Sequence, residues 1–367
     1  ATFGGSSSGN KDIEVTVPSG DLEFDSSTWT NNQGVKITAR KAEPRTVTSV
    51  SMTGHRDIEL DLGETLTLVK TTLDINAAAA IGWIKLPGTM ALTLTGGSPY
   101  SQIRGNFDFG DLLSKRTSLT IDAGSKIDAS GKGFAGGGVN TNGSGDPTSL
   151  GCVTGGPSPC NTGGRMGYRN YGWGAGGGGN AGSGGNGSSP TQSGGVYYGY
   201  GGGMYSTTDN PPEQPVKPGG GGGGNNVSPF SAPTTLAGGA GGGAVKIILS
   251  GSLTMNGDIL ANGGNGAWSD TYFSVGAGGG GSIWVDTTAI AGSGKFEAKG
   301  GSTSGQNWAG GGGGGGRIAV RYVDGFGYTG QALASAIGGT SSGTSPGVAG
   351  GNGTVSFRNS AANSLTL

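Results

Sequence analysis

Unbroken runs of glycine constrain the fold of this chain more than any other feature of its sequence. Residues 219–224 and 310–316 are glycine throughout, and 86 of the 367 residues are glycine. Collagen needs glycine at every third position together with abundant proline, so unbroken runs exclude a collagen triple helix. The 6 Trp, 10 Tyr and 10 Phe and the formal net charge of -1 argue against intrinsic disorder. The sequence therefore predicts an ordered chain.

Apolar and polar residues alternate with a period of two over much of the first hundred residues. Residues 13–17, 57–62 and 91–95 show this pattern, which is typical of half-buried β-strands. No segment of comparable length has apolar residues at helical spacing. The pattern predicts an all-β protein.

Four strand-like segments in the C-terminal third each follow a glycine-rich run. They begin at Ala244, Ser282, Arg317 and Thr354, with spacings of 38, 35 and 37 residues. A repeat of this length indicates stacked units that bury their apolar faces against one another. Three short strands account for only part of each repeat, so the glycine-rich remainder leaves the stack as a loop. We expect a parallel β-helix, or β-solenoid, whose loops all leave from one corner.

An earlier copy of the same unit begins at Ser118, so residues 132–243 form an insertion between two coils. These boundaries predict a solenoid over residues 116–367, with that insertion rich in glycine and tyrosine. Residues 1–115 are predicted to be an N-terminal β region, either a separate sandwich or a continuation of the solenoid.

The glycine-rich loops are predicted to pack side by side as extended helices with three residues per turn, as in polyglycine II. Such helices have no internal hydrogen bonds, and lateral bonds between neighbouring helices satisfy their backbone groups. The alternative is a set of flexible linkers. Trp173, Trp268 and Trp308 interrupt the runs and favour ordered packing over linkers.

The string from Ser282 through Lys295 to Val320 resembles the repeats of large glycine-rich cell-surface proteins with parallel β-helices. It is similar, more loosely, to the glycine-rich bundles of phage tail-tip adhesins and of an animal receptor-kinase ectodomain. The resemblance covers residues 116–367 and leaves residues 1–115 unassigned. It implies surface display, adhesion or scaffolding, and it supplies no catalytic motif.

Cys152 and Cys160 lie in a loop rich in turn-forming residues, which predicts a disulfide between them. A metal site or a redox pair would need companion ligands or a Cys-x-x-Cys spacing, and the sequence has neither.

Residues able to carry catalysis are sparse. The single histidine, His55, precedes a strand in a turn-like context and is predicted to have a structural or solvated role. Asp57, Glu59 and Asp61 share one face of a strand, where they form either a weak calcium site or a solvated face. In the repeat region no carboxylate recurs at one coil position, as the paired acid and base of a polysaccharide-cleaving β-helix enzyme would require. We therefore predict no enzymatic activity and no cofactor.

Aromatic residues cluster in the insertion, where they either clamp the glycine bundle or form a contact surface for sugars or another subunit. The set comprises Tyr168, Tyr171, Trp173, Tyr197, Tyr198, Tyr200 and Tyr205. Glycosylation sequons occur at Asn142, Asn186, Asn226 and Asn352.

The leading hypothesis is a non-enzymatic extracellular structural protein, a subunit of a filament, sheath or surface layer. It would self-associate through its terminal segments and the open ends of the solenoid. The first alternative is an adhesin or carbohydrate-binding surface protein, and the second is a polysaccharide-cleaving enzyme. The start at Ala1 suggests a mature secreted form. The sequence has no apolar run long enough for a membrane span and no basic surface for nucleic acid.

Overall fold

The structure is a computed structural model of the whole chain, and it describes most of the residues. The described residues are 2–3, 6–9, 12–17, 23–24, 26–31, 34–39, 43–75, 82–138, 141–145, 163–165, 167–168, 174–188, 191–193, 196–226, 237–269, 273–305, 308–361 and 364–366.

Nearly all regular structure in these residues is β-strand, as the alternating pattern predicts, and the remainder is one 3₁₀ turn at Gly330–Leu333. The strands of the first half are β1 (Thr2–Phe3), β2 (Ser6–Gly9), β3 (Ile13–Thr16), β4 (Glu23–Phe24), β5 (Thr28–Asn31), β6 (Val35–Thr38), β7 (Arg45–Thr48), β8 (Ser51–His55), β9 (Ile58–Asp61), β10 (Thr65–Val69), β11 (Thr72–Ile75), β12 (Trp83–Lys85), β13 (Ala91–Thr95), β14 (Gln102–Arg104), β15 (Asn106–Phe109), β16 (Arg116–Ile121) and β17 (Lys126–Asp128). Those of the second half are β18 (Gly167–Tyr168), β19 (Thr191–Ser193), β20 (Val196–Tyr198), β21 (Asn225–Asn226), β22 (Ala244–Met255), β23 (Asp258–Leu260), β24 (Trp268–Ser269), β25 (Phe273–Ser274), β26 (Ser282–Asp286), β27 (Ala289–Gly292), β28 (Phe296–Glu297), β29 (Thr303–Ser304), β30 (Arg317–Tyr322), β31 (Asp324–Tyr328), β32 (Ser341–Ser342), β33 (Thr354–Asn359) and β34 (Ser364–Thr366).

The chain winds through three long parallel sheets in a fixed order, which confirms the predicted β-solenoid. Sheet 1 has the strand order β2-β5-β8-β11-β14-β17-β23-β28. Sheet 2 has the order β3-β6-β9-β12-β15-β22-β26-β30-β33, and sheet 3 has the order β7-β10-β13-β16-β22-β27-β31. Strand β22 is long enough to belong to both sheet 2 and sheet 3. From β5 to β31, each coil contributes to all three sheets.

Residues from both parts of the chain build the same sheets. Strand β15 of the N-terminal region pairs with β22 in sheet 2, and β17 pairs with β23 in sheet 1. Between β17 and β22 lies the long insertion, so the two coils that it separates in sequence are adjacent in the stack.

Equivalent apolar residues stack in register inside the solenoid. Leu66, Leu92, Leu119 and Leu253 are aligned across four successive strands of sheet 3, and all are buried. Because inward residues alternate with outward ones, each coil buries its apolar face on the coils above and below. This stacking explains the two-residue alternation in the sequence.

Aromatic side chains fill the core at its C-terminal end. The ring centroids of Phe296, Tyr328 and Phe357 lie 6.0 Å apart in every pair. The Tyr328 hydroxyl donates a hydrogen bond to the Gly294 carbonyl at 2.9 Å, and burial raises the pKa of this hydroxyl. The three rings therefore shield the C-terminal end of the apolar core from solvent.

Glycine-rich segments leave the solenoid after a sheet 1 strand and return at a sheet 2 strand. This happens after β17, after β23, after β28 and after Ser335, which forms an isolated bridge with Glu297 in line with sheet 1. All four loops therefore leave from the same corner, as the repeat length predicts. Together they form the glycine bundle, residues 133–138, 141–145, 163–165, 174–188, 199–205, 217–224, 237–243, 261–266, 274–281, 298–305, 308–316 and 336–353.

Hydrogen bonds in the glycine bundle repeat every three residues. In the segment 274–281, residues three apart donate to the same neighbouring segment. The donor-to-acceptor pairs are Gly276 to Gly223, Gly279 to Gly220, Ala277 to Gly311, Gly280 to Gly314, Gly278 to Gly264 and Gly281 to Ala261, at 2.7–3.1 Å. The carbonyls of the same segment accept from three further neighbours through Gly239, Gly178 and Gly301. The segment thus has six bonded neighbours, and the predicted lateral bonding is present.

A half-buried carboxylate, that of Glu297, links successive coils beside the bundle. Glu297 Oε1 lies 2.8 Å from Lys299 Nζ and 3.2 Å from Lys295 Nζ, and Asn262 donates to Oε2 at 3.2 Å. Burial raises the pKa of Glu297, but the bonds from Lys299, Lys295 and Asn262 outweigh it, so the pKa is lowered. The carboxylate is therefore held ionised.

This network predicts a pH-dependent contribution to stability. A lowered folded-state pKa stabilises the fold above the unfolded value, about 4.3 for glutamate, and the contribution is lost as pH falls through the folded-state pKa. We expect Glu297→Gln to lower the Tm at pH 7 and to differ progressively less from wild type toward pH 3. Thermal unfolding across this range measures the difference. Glu64 is exposed, so Glu64→Gln is the control. If the Tm difference between Glu297→Gln and wild type does not change with pH, the ionised Glu297 carboxylate does not stabilise the fold in this way.

Candidate functional site: the ends and outer face of the solenoid

The N-terminal end of the solenoid presents open sheet edges. Within the described residues, β2 and β3 each have a strand on one side only. In β3, the N–H of Ile13 donates to the Gly34 carbonyl and that of Val17 to the Thr38 carbonyl, both at 2.9 Å. Because strand N–H groups alternate in direction, those of Glu14 and Thr16 point away from β6. Among the described residues nothing pairs with this edge, so these groups are available to another strand.

The C-terminal end differs, because β34 folds back on the last strand of sheet 2. It pairs antiparallel with β33, with Phe357 opposite Thr366 and Asn359 opposite Ser364. Antiparallel pairing covers the edge that the next parallel coil would occupy. The two ends of sheet 2 are therefore chemically distinct.

The carboxylates predicted as a weak calcium site are distributed among separate partners. Asp57 accepts from Arg56 Nε at 2.7 Å and from the Trp83 N–H at 3.1 Å, and Glu59 pairs with Lys36 at 3.4 Å. Asp61 is buried. In the part of the chain that the structure describes, no group of three or more His, Cys, Asp or Glu side chains is placed to hold one metal ion. The geometry gives the calcium hypothesis no support.

The single histidine is inside the solenoid. His55 ends β8, is fully buried, and its Nε2 lies 3.2 Å from the Trp29 carbonyl oxygen. The turn-like context read from the sequence is therefore the end of a strand, and the side chain faces the core rather than a substrate.

Two further carboxylates also have lowered pKa values. Burial raises the pKa of Asp128, but hydrogen bonds from Lys126 and Ser130 outweigh it and lower the pKa overall. Backbone N–H bonds from Ser114 and Leu113 lower the pKa of exposed Asp111. A general acid needs the opposite shift, so neither side chain has the properties of one.

The predicted aromatic contact surface is only partly described. Tyr205 is 3% exposed, and its hydroxyl donates to the Pro218 carbonyl at 3.1 Å, so it clamps the bundle and offers no contact surface. Tyr200 is half-buried, and its carbonyl accepts from the Arg165 N–H. Tyr168, Tyr197 and Tyr198 lie in short strands whose side chains are not described, and Tyr171, Trp173, Cys152 and Cys160 lie outside the described residues. The disulfide stays a prediction.

Two of the sequon asparagines make internal hydrogen bonds. The Asn186 side-chain oxygen accepts from the Gly201 N–H at 2.8 Å, and that of Asn352 accepts from the Gly338 N–H at 3.0 Å. Asn226 lies in β21 and Asn142 in the bundle. Glycosylation at all four stays a prediction.

A groove that sequence reasoning missed lies on the outer face of sheet 2 in the last coils. It has a volume of about 320 Å³, and Trp284, Ala319 and Ser356 lie side by side along it on three successive strands. On the earlier coils the same outward position carries alternating charges, namely Glu14, Lys36, Glu59, Lys85, Asp108 and Lys246. The change from charged to apolar and small residues at Trp284 is the sequence signal for the groove.

Charged residues border the groove on both sides. Asp286, Arg321 and Arg358 occupy the next outward position of the same three strands. Arg321 Nη1 lies 3.8 Å from Asp286 Oδ2, and the side chain of Arg358 makes no hydrogen bond or ion pair with the described residues. Glu213 and Gln214, from the insertion, form the other side.

No protein-family model, no curated protein sequence and no solved structure matches this chain. No helix in its described residues is long and apolar enough to cross a membrane.

Proposed function

We propose that this chain is a non-enzymatic structural protein of an extracellular or cell-surface assembly, and that it self-associates end to end. The observation that carries the proposal is the open edge of β2 and β3 at one end of a continuous solenoid. Unpaired N–H and C=O groups on a strand edge are a template for another strand. The occupant that we propose is a second copy of this chain.

The glycine bundle supports a structural role. Its three-residue period and six bonded neighbours are the pattern of polyglycine II, and it joins successive coils outside the solenoid. The resemblance of the repeat to glycine-rich cell-surface proteins supports export and surface display. Two carboxylates of the described residues are unsuited to acid–base catalysis, because Asp128 and Glu297 are paired with lysines of their own coils.

Blocking the open edge tests self-association. Thr16→Pro removes an N–H that points away from β6, so it blocks a new strand without removing a bond of the β3–β6 pair. We expect the concentration needed for assembly to rise at least about tenfold. Sedimentation velocity and negative-stain electron microscopy over a concentration series measure it.

The matched control is Thr16→Ala, which keeps the N–H and changes the same side chain. It should assemble like wild type, and both variants should unfold at the wild-type temperature. Discrete wild-type monomers at every concentration would overturn the proposal, and so would assembly of Thr16→Pro at the wild-type concentration.

A further inference from the structure

We propose that the groove on sheet 2 binds a neutral hexopyranose unit of a polysaccharide or glycan. The groove lies on the side of the solenoid, away from the open edge, so this inference is independent of self-association. Its residues come from β26, β30 and β33 and from the insertion.

The lining combines an apolar wall with groups that bind hydroxyls. Trp284 is 7% exposed and lines the groove beside Ala319 and Ser356. A pyranose ring presents C–H groups on its faces and hydroxyls on its rim. The indole of Trp284 and the small side chains beside it can pack against the C–H groups of the ring faces. The charged side chains at the border can form hydrogen bonds with the hydroxyls of the rim.

The balance of charges favours a neutral ligand. The lining carries two guanidinium groups, Arg321 and Arg358, and two carboxylates, Asp286 and Glu213. Guanidinium groups only donate hydrogen bonds and ionised carboxylates only accept them, whereas each sugar hydroxyl does both. With two groups of each sign in the lining, a charged ligand gains no net attraction and has to lose more hydration than a neutral sugar does.

The wall that carries Glu213 and Gln214 is fixed by buried contacts. Asn210 is fully buried and donates to Ser282 Oγ at 3.1 Å, while its side-chain oxygen accepts from the Val216 N–H at 2.9 Å. Arg317 Nη2 donates to the Tyr205 carbonyl at 3.2 Å. Ser282 Oγ in turn donates to the Lys217 carbonyl at 2.6 Å, so the insertion is anchored to sheet 2 both before and after the segment that borders the groove.

The size of the groove limits the ligand to one or two sugar rings. Small-molecule sites occupy about 300–1,000 Å³, and this groove is at the lower end of that range at about 320 Å³. A longer saccharide would place one of its units in the groove and extend beyond it.

Isothermal titration calorimetry of the full chain tests the inference. The probes are tetrasaccharides of β-1,4-glucan, β-1,3-glucan, α-1,4-glucan and β-1,4-mannan, with a galacturonate tetrasaccharide as the acidic comparison. We expect at least one neutral probe to bind and the galacturonate probe to bind at least about tenfold more weakly. Trp284→Ala and the groove-filling Ser356→Trp should each weaken binding at least about tenfold.

Lys85→Ala is the matched control, because Lys85 occupies the same outward position of sheet 2 far from the groove. It should keep wild-type affinity. Trp284→Ala removes a mostly buried ring, so Ser356→Trp, which adds bulk on the outer face, keeps the test decisive if Trp284→Ala unfolds. Three results would overturn the inference: no neutral probe binds wild type, only the galacturonate probe binds, or Ser356→Trp binds as tightly as wild type.

Discussion

Replacing Gly278 by alanine is expected to disrupt the glycine bundle. A Cβ at this position would overlap the carbonyl oxygen of Ala240, and the carbonyl of Gly239 lies close behind it. Both atoms belong to a backbone that is itself hydrogen-bonded to further segments, so neither can move without breaking other bonds. Overpacking of a dense interior costs about 1–3 kcal/mol where side chains can adjust, and we expect about 3 kcal/mol or more here.

Chemical denaturation and circular dichroism measure this effect. Gly97→Ala is the control, since a Cβ at Gly97 meets no atom within 4 Å. Ala277, next to Gly278 and fully buried, shows that the bundle accepts a methyl group where space exists. Equal stabilities of Gly278→Ala and Gly97→Ala would show that the segment is not packed as described.

Replacing Asn106 by alanine is expected to destabilise the corner where the long insertion leaves and returns. This side chain is fully buried, and its Nδ2 donates to the Gly82 carbonyl at 2.8 Å and to the Lys132 carbonyl at 3.3 Å. Its Oδ1 accepts from the Ala244 N–H at 2.7 Å. Asn106 therefore joins the two ends of a segment of more than one hundred residues to the preceding coil.

Each buried backbone group left without a partner costs about 1–3 kcal/mol, so we expect Asn106→Ala to lose about 3 kcal/mol or more. Hydrogen exchange should show faster exchange of the Ala244 N–H, the group that loses its acceptor. Asn256→Ala is the control, because Asn256 is exposed in a turn. An unchanged Ala244 exchange rate would be incompatible with this role.

The fold could be predicted from the sequence because its determinants are local and repeated. The coil length equals the spacing of Ala244, Ser282, Arg317 and Thr354. In the structure each of these residues begins a strand of sheet 2, and each lies opposite the next one in the sheet. The single exit corner follows from the position of each glycine run between two strands. The three-residue period of the bundle follows from the conformation that unbroken glycine adopts when it bonds laterally.

The groove and the asparagine contacts could not be predicted in the same way. The border of the groove combines Glu213 with Asp286, which lie far apart in sequence and meet only because the insertion folds back on sheet 2. Asn106 and Asn210 are polar residues in a chain rich in Asn, Gly and Ser. Nothing in their local sequence distinguishes a buried asparagine with several hydrogen bonds from an asparagine in an exposed loop. The His55 context misled for a related reason, because the glycine before it suggested a turn within what is a strand.

The lateral bonds of the glycine bundle have a mechanical consequence. Segments of successive coils are tied to each other, as by the bonds from Ala277 to Gly311 and from Gly280 to Gly314. A tension along the stacking axis would therefore be shared between the sheets and the bundle. The tying groups are backbone amides, which neither titrate near neutral pH nor react with reducing agents. Cohesion of this kind persists through changes of acidity and redox potential.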